Sequence, residues 1–179
     1  ESHPSIREIL KQFWGFDNFR PLQEEIINSV LSGNDTLALM PTGGGKSICY
    51  QVPAMCLDGL CLVISPLIAL MKDQVENLRK KNITAYAIYS GMSRKEVINI
   101  LTVAAQSNCK FLYVSPERLE TSLFKEYLPG LPVSLVAVGV CHPASGERER
   151  EQTESQQQTV GGHESPCGRP CPVGVRGKG

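Results

Sequence analysis

The chain has 179 residues, a formal net charge of zero, 41% hydrophobic and 20% charged residues, seven cysteines and one tryptophan. This is a globular composition, longer than the roughly 100 to 150 residues of a common domain, and its neutrality excludes a histone-like polybasic protein without excluding a local basic groove. The longest apolar runs, at 60–64 and 131–138, fall far short of the ~20 residues that cross a bilayer, so no membrane partner is expected.

The N-terminal Glu-Ser-His-Pro has no basic-then-apolar leader pattern, which points to an intracellular protein. Apolar periodicity predicts a helix over 5–13, then a second over 21–31 with Pro21 in its first turn and Gly33 as its stop. Short apolar or β-branched runs at 36–40, 60–65, 85–89, 110–114 and 133–138 read as strands buried on both faces of a parallel sheet. Helical stretches at 47–55, 67–81, 94–105 and 116–127 fall between them. Strand and helix taking turns predicts a three-layer α/β domain with right-handed crossovers. Cys49, Cys56, Cys61 and Cys109 stand singly in apolar segments, as reduced buried thiols do.

After Val138 the chain changes character. Residues 139–179 contain no Leu, Ile, Met, Phe, Tyr or Trp and are dominated by Gly, Pro, Gln, Ser, Glu and Arg. Such a segment has no apolar area to offset the roughly 1 to 2 kcal/mol per residue of backbone ordering, so it is expected to be a disordered tail following a domain at 1–138. Each part is neutral by itself. Cys141, His142, His163, Cys167 and Cys171 could be read as zinc ligands, but they lack the short paired spacing of structural zinc sites, and no zinc is expected.

The first strand runs into Met40-Pro41-Thr42-Gly43-Gly44-Gly45-Lys46-Ser47, and a helix follows. Three glycines allow successive N–H groups to point inward, the helix start adds partial positive charge, and Lys46 adds a full one for the β- and γ-phosphates of a nucleotide. Ser47 is expected to ligate Mg²⁺. Met40 stands where the common phosphate-loop pattern has its first Gly; the strand before and the helix after supply the context that confirms the loop.

Beyond that loop, residues 5–138 resemble the RecQ family of DNA helicases in helicase superfamily 2. Phe13-Trp14-Gly15-Phe16 with Phe19-Arg20-Pro21 and Gln23 resembles the family's adenine-recognition motif. A Gln amide offers one donor and one acceptor to adenine, and aromatic or guanidinium planes such as Phe16 and Arg20 can stack on the ring. The segment from Ser65-Pro66 to Gln74, SPLIALMKDQ, resembles a motif at the end of the second strand, and Tyr113-Val114-Ser115-Pro116-Glu117-Arg118-Leu119 a further strand-contacting motif. Ligands of open α/β sheets gather at the carboxyl ends of strands, and a helix starting after Ser65 would turn its N–H groups to a nucleic-acid phosphate. Tyr89, Ser90 and Gly91 are expected to line the same face, whereas Lys72, Arg94, Lys95 and Arg118, taken singly, read as solvated charges.

The resemblance implies a RecA-like nucleotide-binding domain using ATP and Mg²⁺, acting on single-stranded or partly duplex DNA. Its setting would be the nucleoid-bearing cytoplasm of a bacterium or the nucleus of a eukaryote. It also implies an Asp-Glu-x-His box after the strand at 133–138, holding Mg²⁺ and positioning the attacking water. Here Gly139, Val140, Cys141 and His142 follow Val138, and both acids are absent. Hydrolysis at or near background is expected, since phosphoryl transfer rests on placing metal and nucleophile. No second RecA-like domain follows in this sequence. The break in composition inside a motif suggests that 139–179 are not native family sequence but the product of a frameshift, a retained intron or a misjoined gene. A different class, a non-catalytic module that binds ATP or DNA, is the alternative.

Overall fold

The computed structural model describes residues 5–40, 45–106, 109–139 and 171–177. Helices α1 (Ile6–Trp14) and α2 (Gln23–Leu31) precede β1 (Thr36–Met40), and β1 leads to α3 (Lys46–Cys56). Then come β2 (Leu60–Ile64), α4 (Ile68–Lys80), β3 (Ala85–Ile88), α5 (Arg94–Gln106) and β4 (Phe111–Val114). Two short helices, α6 (Pro116–Leu119) and α7 (Ser122–Tyr127), lead to β5 (Val133–Gly139), and β6 (Cys171–Gly177) ends the described chain. The sheet order is β1-β6-β5-β2-β4-β3. Strands β5, β2, β4 and β3 pair in parallel; β6 runs antiparallel to both β1 and β5.

The sheet buries two cores. On one face Cys61, Val63, Tyr113, Leu135 and Ala137 pack beneath residues of α3 and α4 such as Tyr50, Ala54, Met71 and Val75. On the other Leu60, Leu62, Leu112 and Val114 pack under Val97, Leu101 and Phe124 of α5 and α7. Alternating side chains along β2 and β4 feed both layers, so these strands are apolar at nearly every position. A third cluster, Ile9, Leu10, Ile27, Val52 and Cys56, docks α1 and α2 on α3 and thereby fixes the adenine-motif segment beside the nucleotide helix. Cys49, Cys56, Cys61 and Cys109 are buried free thiols, and loss of hydration pushes Cys49 and Cys109 up to about 11.

The structure departs from the sequence expectation in two places. The helix predicted over 116–127 is two helices, because Thr121 takes extended backbone and its Oγ1 accepts a hydrogen bond from Phe124 N at 3.3 Å, starting α7 afresh. In the segment expected to be unfolded, Gly139 closes β5 and residues 171–177 form β6. Backbone pairing to two neighbours requires no apolar side chain, and Val173 and Val175 alternate at strand spacing; Val175 is buried against the first core. Pro172, which offers no N–H, stands near the strand start and is paired only with Leu39 of β1. Cys141, His142, His163 and Cys167 lie outside the described residues, as does the rest of 140–170. Among the described residues no helix is long and apolar enough to cross a membrane.

Candidate nucleotide site and nucleic-acid face

The end of β1 and the start of α3 frame the phosphate loop; Pro41, Thr42, Gly43 and Gly44 lie outside the described residues. Met40, which breaks the common pattern, points into the core: it is buried and its Sδ receives the Cys49 thiol at 3.5 Å. Gly45 then takes φ +74° at the N-cap of α3, where a glycine offers no capping side chain of its own. Its first-turn N–H groups, with Lys46 and Ser47 as the first two helical residues, form the positive end of an eleven-residue helix.

Gly45 is also held from the side. The Gln23 amide nitrogen donates to Gly45 O at 3.1 Å, while its Oε1 accepts from Arg20 N at 2.8 Å. Gln23 is 2% exposed. The sequence reading assigned this amide to the adenine ring; in the structure it braces the adenine-motif segment against the loop–helix junction. A Cβ on Gly45 would collide with the Gln23 amide nitrogen. Gly45→Ala therefore combines left-handed strain of about 1 kcal/mol with loss of that brace, and is expected to lower the unfolding midpoint by roughly 3 to 6 °C and ATP affinity together, measured by thermal unfolding and titration calorimetry.

The turn that aims Gln23 carries strain of its own. Gln23 N donates to Arg20 O at 3.2 Å across Pro21 and Leu22, and Leu22 has φ 71° and ψ −20°. This is type II geometry, whose third position favours Gly or Asn. Leu22 is 53% exposed, so its side chain gives little burial in return. Leu22→Asn is expected to raise the unfolding midpoint by about 1 to 3 °C; a fall would show that the leucine makes a contact that outweighs its backbone strain. Phe16, half exposed just beyond α1, and Arg20, exposed on the same segment, are the ring and guanidinium surfaces of this motif.

The carboxyl ends of β2, β3 and β4 converge as expected. Ser65 N donates to Val114 O at 3.1 Å and Ser115 N to Ile88 O at 3.0 Å, locking the three strand ends side by side. Ser65 is buried and its Oγ accepts from Leu67 N at 3.4 Å, while Pro66 is exposed. Ser115 is fully buried, and its Oγ has no hydrogen-bond partner among the described residues. Pro116 opens α6 on the surface.

Glu117 and Arg118 are differently occupied. Ser90 Oγ donates to the Glu117 carboxylate, a bond that holds the carboxyl below its ordinary range. Arg118 Nε donates to Tyr89 O at 3.0 Å and an Nη to Met92 O at 2.8 Å. Together they staple the Tyr89–Met92 loop to α6. Lys72, by contrast, stands exposed with its Nζ 4.9 Å from the Tyr89 ring centroid, a cation–aromatic pair that singles it out on this face.

One polar cluster escaped the sequence reading. Tyr50 and Tyr113 share a hydroxyl–hydroxyl hydrogen bond of 2.9 Å, and Gln51 Nε2 reaches Gln74 Oε1 at 3.0 Å and the Tyr113 hydroxyl at 3.4 Å. Burial lifts the Tyr50 hydroxyl well above its usual range and that of Tyr113 to about 12, so both remain neutral. A signal was present: Tyr50 and Gln51 lie four residues after Lys46 and Ser47, on a helix whose second half is almost wholly buried. Gln74, expected to touch nucleic acid, here belongs to this cluster. It also borders a cleft of about 520 Å³ that opens between the start of α3, at Gly45 and Ser47, and α4, with Trp14 and Lys81 on its wall.

The sequence profile of the DEAD/DEAH box helicase family matches residues 20–160. The chain is 42% identical over 139 residues to the ATP-dependent DNA helicase RecQ of Haemophilus influenzae, covering 78% of this chain and 22% of that protein. It is 49% identical over 115 residues to the RecQ protein of Synechocystis sp., covering 64% and 24%. Among solved structures it is similar to a hypothetical ATP-dependent RNA helicase from Sulfolobus tokodaii, with TM-score 0.54, 25% identity, and coverage of 68% of this chain and 36% of that one. The chain thus spans less than a quarter of the length of these two curated relatives. The Gly-rich turn, the strand-end segments and residues 20–23 lie within the profile's match, and the chain belongs to the DEAD/DEAH box helicase family, among the RecQ helicases.

Proposed function

We propose that this chain is the nucleotide-binding N-terminal part of an ATP-dependent DNA helicase, whose whole form couples ATP hydrolysis to 3′-to-5′ movement on single-stranded DNA and separates the duplex ahead. The observation that carries this reading is the start of α3, with Gly45 at its N-cap turned left-handed and pinned by Gln23. An anion is the group that such a helix end accepts. Lys46 would meet the β- and γ-phosphates, the backbone of Thr42, Gly43, Gly44 and Gly45 would surround them, and Phe16 and Arg20 would hold the base.

Mg²⁺ would arrive with ATP, with Ser47 Oγ as its ligand from this chain; when bound it neutralises phosphate charge. DNA would lie across the carboxyl ends of β2 and β4, with Ser65, Pro66, Ser115 and Pro116 at the strand ends and Lys72 beside them. The exposed Lys72 supports that face; the stapling of Glu117 and Arg118 makes them supports of its loop. The reading is tested by titrating the chain with ATP and with single-stranded oligothymidylate in separate experiments. Saturable binding of both is expected, and absence of nucleotide binding would overturn it.

A second reading, binding without turnover, is favoured by a specific feature: Gly139 closes β5 and Val140 comes next in the sequence, where the resembling family carries its acidic box. The two readings are compatible. The chain then grips nucleotide and DNA, and turnover belongs to a form with the acids and a second motor domain.

A further inference from the structure

The nucleotide helix and the nucleic-acid face are joined by one buried polar cluster, and its layout assigns it a role. Lys46 and Ser47 occupy the first turn of α3, and Tyr50 and Gln51 lie four residues further on, each on the same side of the helix as its predecessor. Tyr50 reaches across to Tyr113 at 2.9 Å, and Tyr113 is the penultimate residue of β4, two before Ser115. Gln51 reaches Gln74 at 3.0 Å, on α4, the helix that begins three residues after Ser65. Three elements are thus tied by side chains: the helix that receives phosphate, and the strand and helix that carry the two strand-end motifs.

The cluster's chemistry makes it a poor choice for stability alone. Tyr50 and Gln51 are 8% and 3% exposed and Tyr113 is 1% exposed, in a layer whose other members are apolar, among them Val63, Met71, Ile83 and Phe111. Apolar residues of the same shape would fill that layer without any directional bonds, whereas buried hydroxyls and amides hold three backbones in one relative placement. A shift of α3 along its axis on phosphate binding would stretch both bonds at once, since both start from its second turn. Packed cores respond to such a shift by moving as units and not by deforming continuously.

We propose that Tyr50, Gln51, Tyr113 and Gln74 form the positioning link through which nucleotide at α3 and DNA at the ends of β2 and β4 alter each other's binding. Tyr50 and Tyr113 act through the elements they join, while Gln51 and Gln74 also line the cleft at Gly45 and Ser47. The inference rests on the functional reading above, and its test separates the two.

The full chain is titrated with a fluorescent methylanthraniloyl analogue of ATP, with and without saturating single-stranded oligothymidylate, and the reciprocal titration is made with labelled oligothymidylate. In the unaltered chain each ligand is expected to change the other's dissociation constant by the same factor, about fivefold or more. Tyr113→Phe keeps the ring and removes the hydroxyl shared by Tyr50 and Gln51; the factor should fall to within about twofold of one, while each ligand alone binds as before. Tyr50→Phe should fall between, because Tyr113 retains Gln51. Thermal unfolding checks that each variant folds, and if Tyr113→Phe does not fold, Tyr50→Phe decides. An unaltered factor in a folded variant, a loss of both single-ligand affinities with the factor preserved, or a factor of one in the unaltered chain overturns the link. Failure of the unaltered chain to bind either ligand overturns the functional reading itself, and the link with it.

Discussion

Lys46→Ala is expected to weaken ATP binding by about 10- to 100-fold, the loss that follows from removing one charge-assisted contact worth roughly 1.5 to 3 kcal/mol. The same substitution should leave the unfolding midpoint unchanged or slightly higher. Lys46 is the first residue of α3, half-buried, and its positive charge sits at the positive end of the helix, where the macrodipole disfavours a cation by a few tenths of a kcal/mol to about 1. Affinity and stability therefore move in opposite directions, which separates a ligand contact from a folding defect. Calorimetric titration together with thermal unfolding checks both; an unchanged affinity would show that the loop does not receive phosphate.

The second large effect concerns turnover. The unaltered chain is expected to hydrolyse ATP at background, with or without DNA, because Gly139, Val140, Cys141 and His142 put no carboxylate directly after Val138. Restoring Gly139→Asp and Val140→Glu, with Cys141→Ala, and appending the second motor domain of a RecQ relative should raise DNA-stimulated hydrolysis by at least about 1,000-fold, the scale on which missing transition-state groups act in phosphoryl transfer. The structure accommodates the first change: Gly139 closes β5 with ordinary φ, and a Cβ there would meet only Ile64 O, at 3.9 Å. A steady-state phosphate-release assay decides, and DNA-dependent turnover by the unaltered chain would overturn the assignment of deficiency.

Much of the architecture is legible in the sequence because a parallel sheet buried on both faces writes itself as short apolar runs. Leu60 to Ile64 and Phe111 to Val114 are such runs, and the structure makes them β2 and β4, with their carboxyl ends side by side. The phosphate loop is legible for a different reason: few arrangements other than a strand-to-helix turn place Gly-Gly-Gly-Lys-Ser after an apolar strand. What the sequence conceals is the partner of each polar side chain. Arg118 resembles a strand contact yet caps carbonyls of Tyr89 and Met92, and Gln23 resembles a base reader yet holds Gly45, since charge and amide chemistry serve loops as readily as ligands. β6 is hidden more deeply. Main-chain pairing, the buried Val175 and the Arg176–Asp35 ion pair hold it, and the alternation of Val173 and Val175 is too short a signal, in chain of low apolar density, to announce it.

That strand has a consequence for how the molecule assembles. β1, which leads to the Gly-rich turn before α3, pairs among the described residues with β6 alone, and β6 arrives from nearly the far end of the sequence. Strands β2, β4 and β3 are joined through crossovers of modest length, whereas β6 pairs with β1 across most of the sequence, and the entropy of that closure is spent before its contacts form. The order of events is thereby set: the β5-β2-β4-β3 half condenses first, and the sheet under the nucleotide loop is completed last. In native-state hydrogen exchange the amides of β1 should accordingly open at lower free energy than those of β2 and β4, making the ATP-facing strand the most readily released part of the sheet.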